Sequence, residues 1–319
     1  LSNKHRTTNR KVPISIGIPV YNGENYIGKA IGSLLSQTFQ DFEIVISDNA
    51  STDATSEIVR SFTERDPRIR YFRNARNIGA QPNFNRVFEL ANGEYFHWHG
   101  HDDLCAPTYL EKCAVVLDRN PDVVLCHSRT LSIDEHEEPL AFDAKLHALV
   151  DRGGRFRIAL PDEHYAEGPD PVVRFEEALL KTFACQQLLG LMRANVARGT
   201  GLLAPYYSSD RAFLIEMALK GQFREVPEPL FLRRVHPNAS GMLSSLTEQG
   251  RWASSMPGWT NRFYNIHAYA RIAGAVLRSD MDVGQKLRCL TFAIRKTARR
   301  WAGMPITPLR EPVGPRNTG

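Results

Sequence analysis

Two carboxylates stand side by side at Asp102-Asp103, directly after the apolar run from Glu94 to His99. Adjacent acids at a strand end repel unless a cation neutralises them, and oxygen donors select Mg²⁺ or Mn²⁺, ions that commonly bind alongside substrate phosphates. The plainer alternative is a cap for the helix that starts near Pro107. Asp48 follows a second apolar run, Phe42 to Ser47, and Tyr21-Asn22-Gly23-Glu24 follows a first, Pro13 to Val20. Each of these reads alone as a turn or cap. His97, His99 and His101 alternate, so a strand continued through them puts all three on one face near the carboxylates, an arrangement that invites zinc.

The elements that must carry these residues follow from periodicity. Pro13 to Val20, Phe42 to Ser47, Ile69 to Phe72, Glu94 to His99 and Val123 to His127 are strand-length apolar runs. Between them, Asn25 to Gln37, Ser51 to Arg65, Asn83 to Ala91 and Tyr109 to Arg119 carry apolar residues at helical spacing. Alternating strands and helices predict a doubly wound parallel sheet, which binds ligands at the carboxyl ends of its strands. The polar clusters fall at that edge, and three strand ends converging there predict a nucleotide pocket. From about Ser132 to Asp170 the pattern degrades into charged and Gly/Pro-containing sequence with Gly153-Gly154 as a hinge, a stretch expected to be a mobile flap or linker. Helices are predicted again over Val172 to Phe183 and Asp210 to Lys220, with Leu188 to Met192 extended.

The chain has 319 residues, 42% hydrophobic and 24% charged, with a formal charge of +5. That composition excludes a disordered or disulfide-stapled chain and fits an anionic partner without choosing one. Five cysteines without a C-x-x-C pair fit reduced thiols. No apolar stretch approaches the ~20 residues that cross a bilayer, and Leu1 to Lys11 lacks a signal-peptide core, so the expected location is cytoplasmic. In Val283 to Ala302, Leu287, Leu290, Ile294 and Trp301 lie near one helical face, with Lys286, Arg295, Lys296, Arg299 and Arg300 largely elsewhere. Such a helix, over residues 283–302, is expected to rest on an anionic membrane surface, peripherally on the inner face of the plasma membrane. The absence of a G-x-G-x-x-G after the first strand and of a P-loop disfavours dinucleotide oxidoreductases and P-loop enzymes. No nucleic-acid-binding signature accompanies the basic charge.

The blocks Pro19-Val20-Tyr21-Asn22, Ser33 to Thr38, Asp41-Phe42-Glu43, Asp48 to Asp53, Asn77-Ile78-Gly79, Gly93-Glu94-Tyr95 and Asp102-Asp103 resemble, in order and spacing, the successive motifs of family-2 glycosyltransferases with the GT-A fold. The resemblance implies an α/β fold with a doubly wound, mixed but mainly parallel sheet, a C-terminal acceptor-side subdomain and a helical tail. Residues 1–131 would bind the donor, 132–240 would form the flap and the acceptor-binding, catalytic half, and 241–319 the basic tail. It also implies that Asp48, the Pro19, Val20 and Tyr21 segment, Glu24 and Asn77 contact a nucleoside diphosphate sugar. Asp102 and Asp103 would be the D-x-D element, with Asp103 on a Mg²⁺ or Mn²⁺ ion and Asp102 on the donor. The family pattern is D-x-D-D, and Gly100 stands here in place of its first Asp.

Ser208-Ser209-Asp210, Val226 to Leu230 and Arg234-Val235-His236 resemble the acceptor side of the same family. On that resemblance Asp210 is the catalytic base, Arg234 meets the diphosphate and His236 completes the metal shell. An inverting transfer needs a carboxylate to take the acceptor hydroxyl proton while cationic groups stabilise the leaving diphosphate. The expected activity is metal-dependent transfer of a hexosyl group from a UDP- or dTDP-sugar to a saccharide or lipid-linked acceptor in cell-surface polysaccharide synthesis. One alternative is a catalytically silent sugar-nucleotide-binding scaffold, motivated by Gly100. Another is a zinc hydrolase built on His97, His99 and His101, although H-x-H-x-H-D is not the H-x-H-x-D-H element of metallo-β-lactamase-like hydrolases.

Overall fold

The computed structural model describes residues 13–145, 148–151, 157–159, 164–182, 185–240, 246–254 and 264–301. Leu1 to Lys11 and Gly153-Gly154 lie outside the described residues. The strands are β1 (Ile14–Val20), β2 (Phe42–Asp48), β3 (Ile69–Arg73), β4 (Tyr95–Trp98), β5 (Leu104–Cys105), β6 (Val123–Ile133), β7 (Ala141–Asp143), β8 (Ala148–Val150), β9 (Arg157–Ala159), β10 (Leu191–Arg193) and β11 (Gln222–Arg234). The helices are α1 (Ile27–Leu35), α2 (Thr55–Thr63), α3 (Ala80–Leu90), α4 (Tyr109–Arg119), α5 (Pro171–Lys181), α6 (Ala194–Arg198), α7 (Ser209–Lys220), α8 (Leu246–Ala253), α9 (Tyr264–Arg278) and α10 (Val283–Trp301).

β1 and β2 are buried at every residue, as continuous apolar strands covered on both faces should be. They pair in parallel with Val20 opposite Asp48, and β4 joins β1 in parallel. An eight-stranded sheet runs β3-β2-β1-β4-β10-β6-β11-β5. β10 is antiparallel to both β4 and β6, and β11 is parallel to β6 but antiparallel to β5. This is the expected mixed, mainly parallel α/β sheet. The second half of the chain inserts β10 and β11 into the same sheet as the first, so the site is assembled from both.

Side-chain alternation along β4 divides the core. Phe96 and Trp98 enter an apolar cluster with Phe175, Phe213, Ile272 and Phe292, from α5, α7, α9 and α10. Tyr95 enters the opposite cluster with Ile31, Tyr109 and Phe231. The tail helices are thus part of the core. In α10 the inward face is Cys289, Phe292 and Lys296, at i, i+3 and i+7, with exposures of 0%, 4% and 6%. Lys296, expected on the outer face, is turned inward, and its Nζ donates to the Leu179 carbonyl at the end of α5.

Residues 132–170, expected as a flap or linker, carry strands where they are described. The last two residues of β6 open this stretch, and β7, β8 and β9 form a separate antiparallel sheet. Strands of three residues are too short to show an alternating pattern. Leu188 to Met192 also differs: Gln186–Leu189 is a 3₁₀ turn, entered through Cys185 at φ 51°, before β10 begins.

Candidate active site

The donor-side loops are stitched to one another. Asn22, at φ 52°, accepts through Oδ1 from Thr52 N at 2.8 Å, and its own N–H donates to Ser51 Oγ at 2.9 Å. Glu24 accepts from Ala54 N at 2.9 Å, and Glu24 N donates to Asp53 Oδ2 at 3.0 Å. These bonds satisfy backbone donors where α2 begins. Asp48 is completely buried. Its Oδ1 accepts from Ser51 N at 2.8 Å and its Oδ2 from the Tyr71 hydroxyl at 2.6 Å, so any contact to a base comes on top of these. Pro19 and Val20 are buried in β1, Val20 O accepting from Asn49 N, while the Tyr21 ring is 44% exposed at the mouth.

Asn77 is exposed and accepts from Asn49 Nδ2 at 2.9 Å and Gly79 N at 2.8 Å. Behind it, Asn83 binds the Ser47 hydroxyl and carbonyl and the Asn74 amide. This amide network fixes the 74–79 loop to the end of β2. Gly79, at φ 89°, provides a backbone turn that a side chain would strain. The sequence reading missed Asn49, Asn74 and Asn83, for which the only signal was unusual asparagine density around one strand end.

Asp102 and Asp103 lie on the turn between β4 and β5. A Cβ at Gly100 would meet Asp103 Oδ2 at 2.4 Å and Asp102 Oδ1 at 2.9 Å. Both carboxylates thus fold over the position that the missing first Asp of the motif would occupy. Two neighbouring buried carboxylates repel when both are charged, so without a cation the pair divides its roles. Burial, then the Asp102 charge, pushes the Asp103 carboxyl up to about 8. Burial raises Asp102 as well, but it is outweighed by the His101 charge and the His236 hydrogen bond, which hold that carboxyl well below the usual carboxylate range.

His236 Nε2 lies 2.9 Å from Asp102 Oδ2, and Asp103 Oδ1 instead accepts from Arg234 N at 2.9 Å. The imidazole thus meets Asp102, whereas Asp103, expected to share a metal ion with His236, is bonded to the backbone of β11. Asp103, at 5% exposure, ties the turn to β11. A carboxylate and an imidazole converging at this distance, with ligand phosphates to supply further oxygens, fit a Mn²⁺ or Mg²⁺ ion.

Arg234 was expected to meet a diphosphate, but its side chain is at 0% exposure. Nε donates to Asp102 O at 2.9 Å and Nη1 to Asp134 O at 3.1 Å, while Nη2 pairs with Glu137 at 3.3 Å. The guanidinium also covers the Tyr26 ring at 4.8 Å, and Tyr26 lies against His236. A guanidinium covered in this way fastens the Asp102 turn and leaves no face for a ligand. Its neighbour Arg233 is half-buried and makes no hydrogen bond or ion pair among the described residues. The Arg233 charge acts both on Asp103 and on the Cys185 thiol. That thiol hydrogen-bonds Asp210.

Asp210 sits in the first turn of α7, whose cap position is Ser208 at φ 67°. It is therefore not the cap itself. Oδ1 accepts from Arg211 N at 2.8 Å, and burial raises its carboxyl above the ordinary value, the direction that makes a carboxylate a better base. One turn on, Phe213 packs edge-on against Trp98 with ring centroids 5.3 Å apart. This contact seats the start of α7 against the end of β4, where the Asp102 turn begins. The Glu216–Arg271 pair, 2.8 Å apart and nearly buried, holds α7 to α9.

The three histidines do not form one group. His97 Nε2 and His99 Nδ1 are 3.2 Å apart, but the third nearby donor is Cys105, not His101. His97 and His99 are both at 0% exposure, so the zinc-hydrolase alternative lacks an open position for water and substrate.

Residues 15–166 match the model of the family described as glycosyl transferase family 2. An uncharacterized glycosyltransferase of Haemophilus influenzae is 26% identical over 233 residues, covering 70% of this chain and 66% of that protein. The chain spans less than two thirds of the curated relatives it matches, at 66%, 40% and 43% in three of them. Among solved structures, S. aureus TarS 1-349 in complex with UDP-GlcNAc aligns with a TM-score of 0.60 at 16% identity, over 92% of this chain and 73% of that one. The mannosyltransferase PcManGT from Pyrobaculum calidifontis, in complex with GDP-Man and Mn²⁺, aligns with a TM-score of 0.51 at 14% identity, over 93% and 77%. These likenesses carry the GT-A fold.

Proposed function

We propose, on the match of residues 15–166 to the glycosyl transferase family 2 model, that the protein is an inverting glycosyltransferase that moves a sugar from a UDP- or dTDP-sugar to a saccharide or lipid-linked acceptor. The observation that supports this reading is the Asp102–His236 pair, 2.9 Å apart on the turn after β4, with the Arg233 charge acting both on Asp103 and on the Cys185 thiol beside Asp210. Asp102 and His236 would hold Mn²⁺ or Mg²⁺, which supplies positive charge against the donor diphosphate. The complex of PcManGT with GDP-Man and Mn²⁺ supports that choice.

Asp210 takes the acceptor hydroxyl proton as its oxygen attacks the anomeric carbon from the face opposite the leaving group. Arg233, whose charge acts on Asp103 and on the Cys185 thiol beside Asp210, meets the departing diphosphate in the role the sequence reading gave to Arg234. Arg234, Asp103 and Tyr26 position the turn. On the other side, Tyr21, Glu24, Asp48 and Asn77 line the path for base and ribose. A panel of nucleoside diphosphate sugars tests the reading by thermal shift and by release of nucleoside diphosphate. One donor is expected to raise Tm with Mn²⁺ and much less after chelation, and to turn over. Tight Mn²⁺-dependent binding with no turnover, with or without saccharide acceptors, would favour the silent scaffold.

The lipid-linked form of the acceptor rests on α10. Its outward stripe, Val283, Leu287 and Ile294, is 74%, 59% and 69% exposed, with exposed Arg288 and Arg295 beside it. Among the described residues no helix is long and apolar enough to cross a membrane. A half-apolar, half-basic stripe suits the surface of an anionic leaflet. Leu287→Glu with Ile294→Glu should reduce cosedimentation with anionic vesicles at least about tenfold without lowering Tm, on the scale of adding charge to an interfacial face. Undiminished cosedimentation would remove α10 from the membrane.

A further inference from the structure

We propose that His97, His99 and Cys105 form a second, buried metal site, separate from the Asp102–His236 pair, that takes a thiophilic d¹⁰ cation and clips β4 to β5 beneath the acidic turn. His97 and His99 lie at the end of β4 and just after it, Cys105 lies in β5, and the residues between them carry Asp102 and Asp103.

The donor atoms of the three side chains all lie within 4.8 Å of one another. His97 Nε2 is 3.2 Å from His99 Nδ1, and Cys105 Sγ is 3.8 Å from the same nitrogen. A tetrahedral ion with ordinary zinc–nitrogen and zinc–sulfur bond lengths has edges of about 3.3 Å between nitrogens and about 3.6 Å between nitrogen and sulfur. His99 Nε2 lies 3.2 Å from the Asp103 carbonyl. With its proton there, Nδ1 turns its lone pair toward the other two donors, the usual outer support of a metal-bound imidazole. Without an ion, His97 Nε2–H donates to His99 Nδ1; an ion would replace that proton, which moves to Nδ1 on the side of the Leu189 and Gly190 backbone.

Aromatic rings pack around the cluster, Tyr109 tilted 5.2 Å from His97 and Phe231 edge-on 5.8 Å from His99 by ring centroids. Burial at 0%, 0% and 4% makes the ion structural rather than catalytic. On binding, the Cys105 thiol proton leaves to solvent and a sulfur–metal bond forms, with no change of oxidation state. Three donors with one negative charge neutralise Cu⁺ in trigonal form, and Zn²⁺ fits with one further oxygen. An ion here would hold the ends of the acidic turn independently of any nucleotide.

The test refolds the full chain separately with Zn²⁺, with Cu⁺ under anaerobic reducing conditions, and with Co²⁺ as a spectroscopic probe. Each sample is dialysed against a chelator, which strips the more accessible Asp102–His236 position. Retention of about one equivalent of Zn²⁺ or Cu⁺ per chain is expected, unchanged in Cys289→Ser and lost in Cys105→Ser. The Co²⁺ form should show a thiolate-to-cobalt charge-transfer band. Wild-type protein without retained metal, or equal retention in Cys105→Ser, would overturn the site. If Cys105→Ser does not fold, the wild-type Co²⁺ spectrum decides, and absence of the thiolate band rejects the proposal.

Discussion

Asp210→Asn should lower the transfer rate by about 10²–10⁴-fold while leaving donor affinity within about twofold, because only proton removal from the acceptor is lost. The substitution isolates that role. Asn keeps an oxygen that can accept from Arg211 N, so the first turn of α7 retains its contact, and Ser208 rather than Asp210 occupies the cap. A stability effect should therefore be small. Steady-state kinetics with saturating donor, alongside equilibrium donor binding, separates the two quantities. Full activity in the variant would reduce Asp210 to a packing residue of the helix start.

Asp102→Asn should lower kcat/KM by about 10²–10³-fold, the scale of losing one charge-stabilising group, and should remove most of the Mn²⁺ dependence of UDP binding. Asp103→Asn is the informative contrast. Asp103 is buried, pushed up to about 8 and bonded through Oδ1 to Arg234 N. An amide reproduces that acceptor without a charge, so this variant should keep far more activity than Asp102→Asn. Calorimetric titration of UDP with and without Mn²⁺ into both variants measures the difference. The opposite order of damage would return the metal to Asp103, as the family motif alone implied.

The donor half was legible because its strands are long, apolar and regularly spaced. Ile14–Val20 and Phe42–Asp48 announce a buried parallel pair, and the acids that follow such strands must come out at one edge. Which of Arg233 and Arg234 is covered was not legible. Neighbours in a strand point to opposite faces, and β11 changes register against β6 between Val226 and Pro229 and again between Pro229 and Phe231. Each irregularity resets which face a side chain takes, so counting along the sequence cannot decide between adjacent arginines.

Gly100 shows a different limit. A missing acid reads as a lost ligand in the motif, whereas in space it is the gap over which two remaining carboxylates close. The inward turn of Lys296 was hidden for a related reason. The apolar residues of α10 lie on more than one face, and the face that packs is chosen by α5 and α9, which the helix itself does not encode.

The most direct test is to locate Mn²⁺ by its anomalous scattering in crystals of the protein grown with UDP. A single strong peak within coordination distance of an Asp102 carboxylate oxygen and His236 Nε2, bridging to the diphosphate with Arg233 beside it and Asp210 facing the open side, is the predicted result. A nucleotide bound without metal at that pair, or a peak on Asp103 or elsewhere with Asp210 turned away from the diphosphate, would contradict the account.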